Sequence, residues 1–191
     1  MSLIERITLA LTAEPPHGLL AGDLIEGHDG EHREAAVLVA ITDRPNPGLL
    51  LTQRRDDLRT HAGQIAFPGG RIDEGEDAVS AALREAQEEL GLNPALARLL
   101  GEADPYCTVT GYWVTPVVAG VPADLDLVPN PEEVSDWFEV PLDFVLDPAN
   151  QRQMTADYQG RRRTYYRIDW QGRQIWGATA AMLVNLSRRL A

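Results

Sequence analysis

The sequence predicts an α/β sandwich around a mixed β-sheet. Three observations carry this expectation. Several short runs are nearly all apolar and rich in Val and Ile, the pattern of strands buried on both faces. Helical spacing recurs before, between and after those runs. The chain has 191 residues, 44% of them hydrophobic, enough for one sizeable core without staples.

The elements follow in order. Residues 2–13 place Leu3, Ile4, Ile7 and Leu11 at helical spacing, with Ser2 and Glu5 at capping-box spacing. Pro15 and Pro16 stop that helix. Residues 17–34 read as a polar loop, and its histidines (His17, His28, His32) are assigned no role. Ala35–Thr42 is a buried strand, Asp43–Gly48 a turn with two prolines, and Leu49–Arg54 a second strand. Residues 55–65 form a charged loop ending in a short strand toward Phe67, which Pro68-Gly69-Gly70 breaks. Asp77–Leu90 is the clearest helix, closed by Gly91 at its C-cap. Leu99–Thr108 and Tyr112–Val121 read as strands around a Gly111 turn. A loop over Pro122–Pro131 leads to a strand at Val134–Val140 and a short helix at Pro141–Leu146. Thr164–Trp170 and Arg173–Trp176 flank Gln171-Gly172, a hairpin signal. Thr179–Leu190 is the closing helix, with Arg188 and Arg189 in its last turn, where cations suit the dipole. No repeat or long linker divides the chain, so residues 1–191 are expected to form one domain.

Composition narrows the function. Seventeen Lys+Arg against 29 Asp+Glu give a net charge of −12. Nucleic-acid binding runs on basic side chains that neutralise phosphates, so it is not expected here. Cys107 is the only cysteine, which rules out an intrachain disulfide and fits a reducing compartment. The N-terminus carries Glu5 and lacks the apolar core of a signal peptide. No run approaches 18 apolar residues. The expectation is a cytoplasmic protein whose partner is a small molecule, with neither nucleic acid nor membrane; the oligomeric state stays open.

The segment Gly70–Leu92 carries the chemistry. With Glu85 at zero on a helix, Glu88 falls near about −60° and Glu89 near about +40°, so three carboxylates share one arc. Val79, Leu83, Ala86 and Leu90 fall on an adjacent arc and are expected to face the sheet. Crowded carboxylates repel, and a hard, oxygen-loving cation such as Mg²⁺ compensates for that. A Glu-rich helix alone usually has a solvated acidic face. The punctuation argues otherwise: Gly69-Gly70 before the helix, Glu76 at its start, Arg84 beside Glu85, and Gly91 after it.

That segment resembles the Nudix box, Gly-x5-Glu-x7-Arg-Glu-U-x-Glu-Glu-x-Gly-U, where U is aliphatic. Gly70, Glu76, Arg84, Glu85, Glu88, Glu89, Gly91 and Leu92 match, with Ala86 as a small U. The resemblance implies a Nudix-type α/β/α sandwich and hydrolysis of a diphosphate linked to another moiety. It also implies Mg²⁺ or Mn²⁺ held by Glu85, Glu88 and Glu89, helped by the Gly70 carbonyl. Glu76 and Arg84 would brace the loop against the helix.

Upstream, Leu50, Leu51, Thr52, Arg54, Arg59, Gly63, Phe67, Pro68, Gly69 and Gly70 resemble the added signature of the coenzyme A pyrophosphatase branch of that family. Arg55 departs from it, standing where the branch has a small residue. Arginine offers a planar fork suited to phosphate oxygens, so Arg54 and Arg59 are expected substrate contacts; otherwise either would pair with Asp56 or Asp57. His61 and Gln64 are further polar candidates. Ile175–Ala180 and Asn130–Val134 also look like this branch. Trp176 is read as core rather than as a base-stacking platform. Glu133 is read evenly, as a loop acid near the metals or as a solvated one. Arg161-Arg162-Arg163 is read as a solvated hairpin edge, with a second phosphate contact as its other reading.

The expected reaction is metal-assisted hydrolysis of the diphosphate of coenzyme A or its thioesters, giving 4′-phosphopantetheine (or its acyl form) and adenosine 3′,5′-bisphosphate. Glu85 is the favoured base, with Glu89 and Glu133 open. Three rivals remain: a diphosphatase for ADP-ribose or another nucleotide, a broad housekeeping diphosphatase, and a non-catalytic nucleotide-binding module.

Overall fold

The computed structural model describes residues 3–22, 33–57, 63–158 and 160–191. The Ser2 cap, His28, His32, Arg59 and His61 lie outside them.

The sheet is built on β1 (Arg33–Thr42), whose side chains alternate between two buried faces. It pairs in parallel with β7 (Tyr112–Val121) along its whole length. On its other side it pairs antiparallel with β2 (Gly48–Arg54) and β4 (Gly69–Arg71). β2 in turn pairs with β3 (Ile65–Ala66) and β8 (Val134–Pro141). β7 carries β5 (Arg98–Glu102) and β6 (Tyr106–Cys107). The sheet is therefore mixed, as expected.

Helix α2 (Ala78–Leu90) covers one face, where Ala81, Ala82 and Ala86 meet Ala36, Leu38, Leu50 and Val117. Three helices gather on the other face: α1 (Leu3–Thr12), α3 (Leu142–Leu146) and α4 (Ala178–Leu190). There Ile7, Leu142, Val145 and Leu183 share a core with Val39, Ile41, Leu49 and Leu51. A second sheet, β9 (Arg152–Tyr158), β10 (Arg161–Trp170) and β11 (Arg173–Trp176), adds Ile168 and Ile175 to that core. Layers of helix, sheet and helix result. Among the described residues no helix is long and apolar enough to cross a membrane.

The structure differs from expectation in three places. Gly69-Gly70 does not break the chain but forms β4, because the missing Cβ lets the backbone press on β1: a Cβ at Gly69 would collide with the Ala36 carbonyl and Val37. Leu99–Thr108 is two strands, β5 and β6, interrupted at residues 103–105, where Pro105 has no N–H to give to a ladder. β9 was not expected; most of its side chains are exposed, so no apolar alternation marks it. The expected sheet-facing side of α2 holds, with Ala86 and Leu90 buried and Val79 and Leu83 packed half-buried against the same core; Ala82 and Glu89 are buried as well.

Candidate active site

The site forms where α2 crosses β4. Asp77 caps the helix by accepting from the Ser80 N–H at 2.7 Å. Gly91 ends it at φ 67°, a left-handed conformation, donating to the Ala86 and Gln87 carbonyls. The loop over 128–134 covers the helix end. The Asn130 N–H donates to the Glu89 carbonyl at 2.8 Å, and the Val128 N–H to that of Leu90 at 2.8 Å. These bonds bring the loop that carries Glu133 against the last turn of α2.

Arg84 is the hub of the entry side. Its guanidinium forks onto both Glu76 oxygens at 3.0 Å and donates to the Arg71 carbonyl at 3.0 Å. It also donates to Glu85 at 2.9 Å and Glu88 at 3.4 Å. The Arg84 hydrogen bonds, with the Asp73 backbone N–H, hold the Glu76 carboxyl below its ordinary value. Arg84 thus ties the loop over 71–76 to the helix.

Beyond Arg84 the carboxylates diverge. Glu88 is 54% exposed and faces solvent. Glu85 is half-buried, and its carboxylate lies so close over Gly70 that a Cβ there would collide with it. Burial pushes the Glu85 carboxyl up, against the pull of Arg84. Glu89 is 3% exposed. Burial raises its carboxyl to about 8, and the charges of Glu85 and Glu133 add to the rise. Arg54 and the Gly69 backbone N–H act in the opposite direction.

Among the described residues, Glu89 Oε2 is buried with no hydrogen-bond partner, and so is Arg54 Nε. A buried polar atom without a partner costs about 1–3 kcal/mol. Glu85, Glu89, Glu133, Arg54 and Gly70 are thus brought together. Among the described residues, no group of three or more His, Cys, Asp or Glu side chains is already gathered as a metal cage. Yet the donors are hard oxygens, one is unpartnered, and their mutual repulsion calls for a cation. That chemistry fits a divalent metal bound through carboxylates and a substrate phosphate.

Gln64 sits beside this cluster through its backbone, which accepts from the Arg54 N–H at 3.0 Å. The ion pair expected of Arg54 with Asp56 or Asp57 is made instead by Arg55, which binds Asp57 at 2.8 and 2.5 Å. Arg55 does more. Its guanidinium donates to the Pro131 carbonyl at 2.7 Å and its backbone N–H to the Glu133 carbonyl at 3.3 Å. Sequence reasoning marked Arg55 only as a departure from a pattern; nothing local announces a tether to residues 131–133. Trp176 is 44% exposed, not core, because its strand turns Ile175 inward and Trp176 outward.

The family model described as NUDIX domain matches residues 31–158. An uncharacterized Nudix hydrolase NudL of Escherichia coli strain K12 is 42% identical over 160 residues, 83% of either chain. Its namesake in Yersinia pestis strain Pestoides F is 40% identical over 161 residues, 84% of this chain and 81% of that one. Among solved structures, the Nudix hydrolase RenU of M. smegmatis is 27% identical with a TM-score of 0.51, over 61% of this chain and 74% of its own. A MutT/nudix family protein from Enterococcus faecalis shares the fold at 15% identity and TM-score 0.51, over 98% of this chain and 68% of that one.

Proposed function

The chain belongs to the Nudix hydrolase family, and from that premise we propose that it cleaves the diphosphate bond of coenzyme A or its thioesters. It is a hydrolase of nucleoside diphosphate derivatives; the identity of the substrate is our reading. The observation that carries it is Arg54. It lies in the upstream signature, at the side of Glu89, with a buried Nε that has no partner among the described residues. A diphosphate oxygen would satisfy that donor.

Nudix hydrolases use divalent metal ions, and we assign Mg²⁺ or Mn²⁺ to Glu85, Glu89 and the Gly70 carbonyl, with Glu88 on the adjoining helix surface. Bound there, the ion would supply Lewis-acid stabilisation of the charge that builds on the phosphoryl oxygens. The protein's own groups do the rest. Arg54 holds the diphosphate, and we assign Arg59, His61 and Gln64 to the same substrate. A glutamate takes the proton of the attacking water as its oxygen bonds to phosphorus. The bridging P–O bond then breaks, and its electron pair leaves with the departing phosphate. The products are 4′-phosphopantetheine, or its acyl form, and adenosine 3′,5′-bisphosphate.

Arg84 occupies one Glu85 oxygen, whereas among the described residues Glu89 Oε2 has no partner and Glu133 accepts from the Asn130 amide at 3.4 Å. Glutamine substitutions at Glu85, Glu89 and Glu133 separate the roles. A ligand loses both turnover and the rise in melting temperature on adding Mg²⁺; the base loses turnover, by about 10²–10⁴-fold, and keeps the rise. Product analysis with Mg²⁺ and coenzyme A, ADP-ribose, NADH or dGTP tests the substrate. Faster kcat/KM on a substrate other than coenzyme A overturns the assignment.

A further inference from the structure

The second sheet is a basic region within an acidic chain. Residues 152–176 hold six arginines and two aspartates, within a protein of net charge −12. Antiparallel partners point to the same side of a sheet, and the sides alternate along each strand. Arg167 pairs with both Arg152 and Trp176, and Tyr165 with Met154. Arg152, Arg163, Tyr165, Arg167 and Trp176 therefore share one face, while Ile168 and Ile175 are buried on the other. On the outer face the rings of Tyr165 and Trp176 meet edge to face, 6.1 Å apart at 70°. Among the described side chains, the guanidinium groups of Arg152, Arg163 and Arg167 share it with the Asp169 carboxylate, which accepts from Arg167 at 2.9 Å and lies 3.7 Å from Arg152.

This face is continuous with the site. Trp176 is followed by Gly177, where a Cβ would come within 3.9 Å of the Gln64 amide nitrogen. Gln64 is bonded to Arg54, and Arg54 neighbours Glu89. The path from the buried carboxylates to the exposed indole thus runs through Arg54, Gln64 and Gly177.

We propose that the outer face of this sheet binds the nucleoside end of the substrate. The base stacks on Trp176 beside Tyr165, and the ribose phosphate is held by the arginines of β9 and β10. An aromatic ring is a tolerant stacking platform for any base, and an arginine fork suits a terminal phosphate. The net positive charge of the face matches that occupant within a chain whose overall charge repels anions. The inference rests on the proposed diphosphatase reading but concerns different residues.

The test uses the full chain, with Trp176→Ala and Arg152→Ala, both side chains being exposed. KM for coenzyme A, dephospho-coenzyme A and ADP-ribose is measured with Mg²⁺. Trp176→Ala should raise KM for all adenine substrates about tenfold while kcat changes less than about twofold. Arg152→Ala should erode any preference for coenzyme A over dephospho-coenzyme A. Binding of adenosine 3′,5′-bisphosphate, followed by calorimetry, should weaken in both variants, while 4′-phosphopantetheine binding stays unchanged. Unchanged KM and unchanged bisphosphate binding overturn the proposal. So does a change in particle mass without a change in KM, which would make the face a contact between copies of the chain. Absence of turnover on every substrate, with bisphosphate binding still lost in Trp176→Ala, would sink the coenzyme A reading and leave this surface standing.

Discussion

At the scale of single residues, the site is a set of carboxylates held in costly positions. Glu89 carries the largest strain. The folded protein keeps its proton up to about pH 8, whereas the unfolded chain releases it near 4.5. The folded state therefore binds more protons between those values, and the metal-free protein should lose stability as pH rises through that window. Glu89→Gln should flatten the slope and raise the metal-free melting temperature at pH 8; a wild-type melting temperature that climbs from pH 5 to 8 would contradict the burial. Gly70→Ala places a methyl group against the Glu85 carboxylate. Turnover should fall at least about tenfold, and an active Gly70→Ala enzyme would show that Glu85 has room to move. Arg55→Ser, the small residue of the signature, frees the Pro131 carbonyl; kcat should drop while KM holds, provided Glu133 acts in the reaction. These residues were unequally legible. The spacing of Glu85, Glu88 and Glu89 placed them on one helix. It did not reveal that Glu88 faces solvent and Glu89 the core, because that depends on how α2 is rolled against β1. Arg55 was illegible, since its partners lie some 76 residues away in the chain.

At the scale of elements, the closing helix shows how tertiary context overrides a local rule. Arg189 was expected only to complement the helix dipole. It is instead buried, forking onto Asp104 at 2.5 and 2.8 Å and donating to the Ala10 and Ala13 carbonyls at 2.7 and 3.0 Å. One guanidinium thus joins α4, α1 and the turn between β5 and β6. Arg189→Ala should cost about 3–5 kcal/mol in denaturant unfolding, because it strands Asp104 and two carbonyls. A loss below about 1 kcal/mol would place that ion pair among the weak surface kind. Asn185 does similar work on the segment before it, accepting from the Leu20 N–H and donating to its carbonyl (2.7 and 2.8 Å). Elements with an apolar period or clear caps were legible: α1, α2, α4, β1 and β2 lie within a few residues of expectation. β4 and β9 were not. One is made of glycines that act by what they lack, and the other has no buried stripe to read.

For the molecule as a whole, charge is laid out unevenly: an acidic body, carboxylates packed at the end of α2, and arginines gathered on the second sheet. The sequence shows the totals, but only the pairing of β9 with β10 puts Arg152 and Arg167 side by side. The loop over 128–134 has a further consequence. Its amides at Val128 and Asn130 are locked onto the last carbonyls of α2. In a hydrogen-exchange experiment, these irregular residues should be as slow as the helix and open only when its final turn opens. Glu133 then keeps the same clock as Glu89, and the two acids approach or leave the reacting phosphate together.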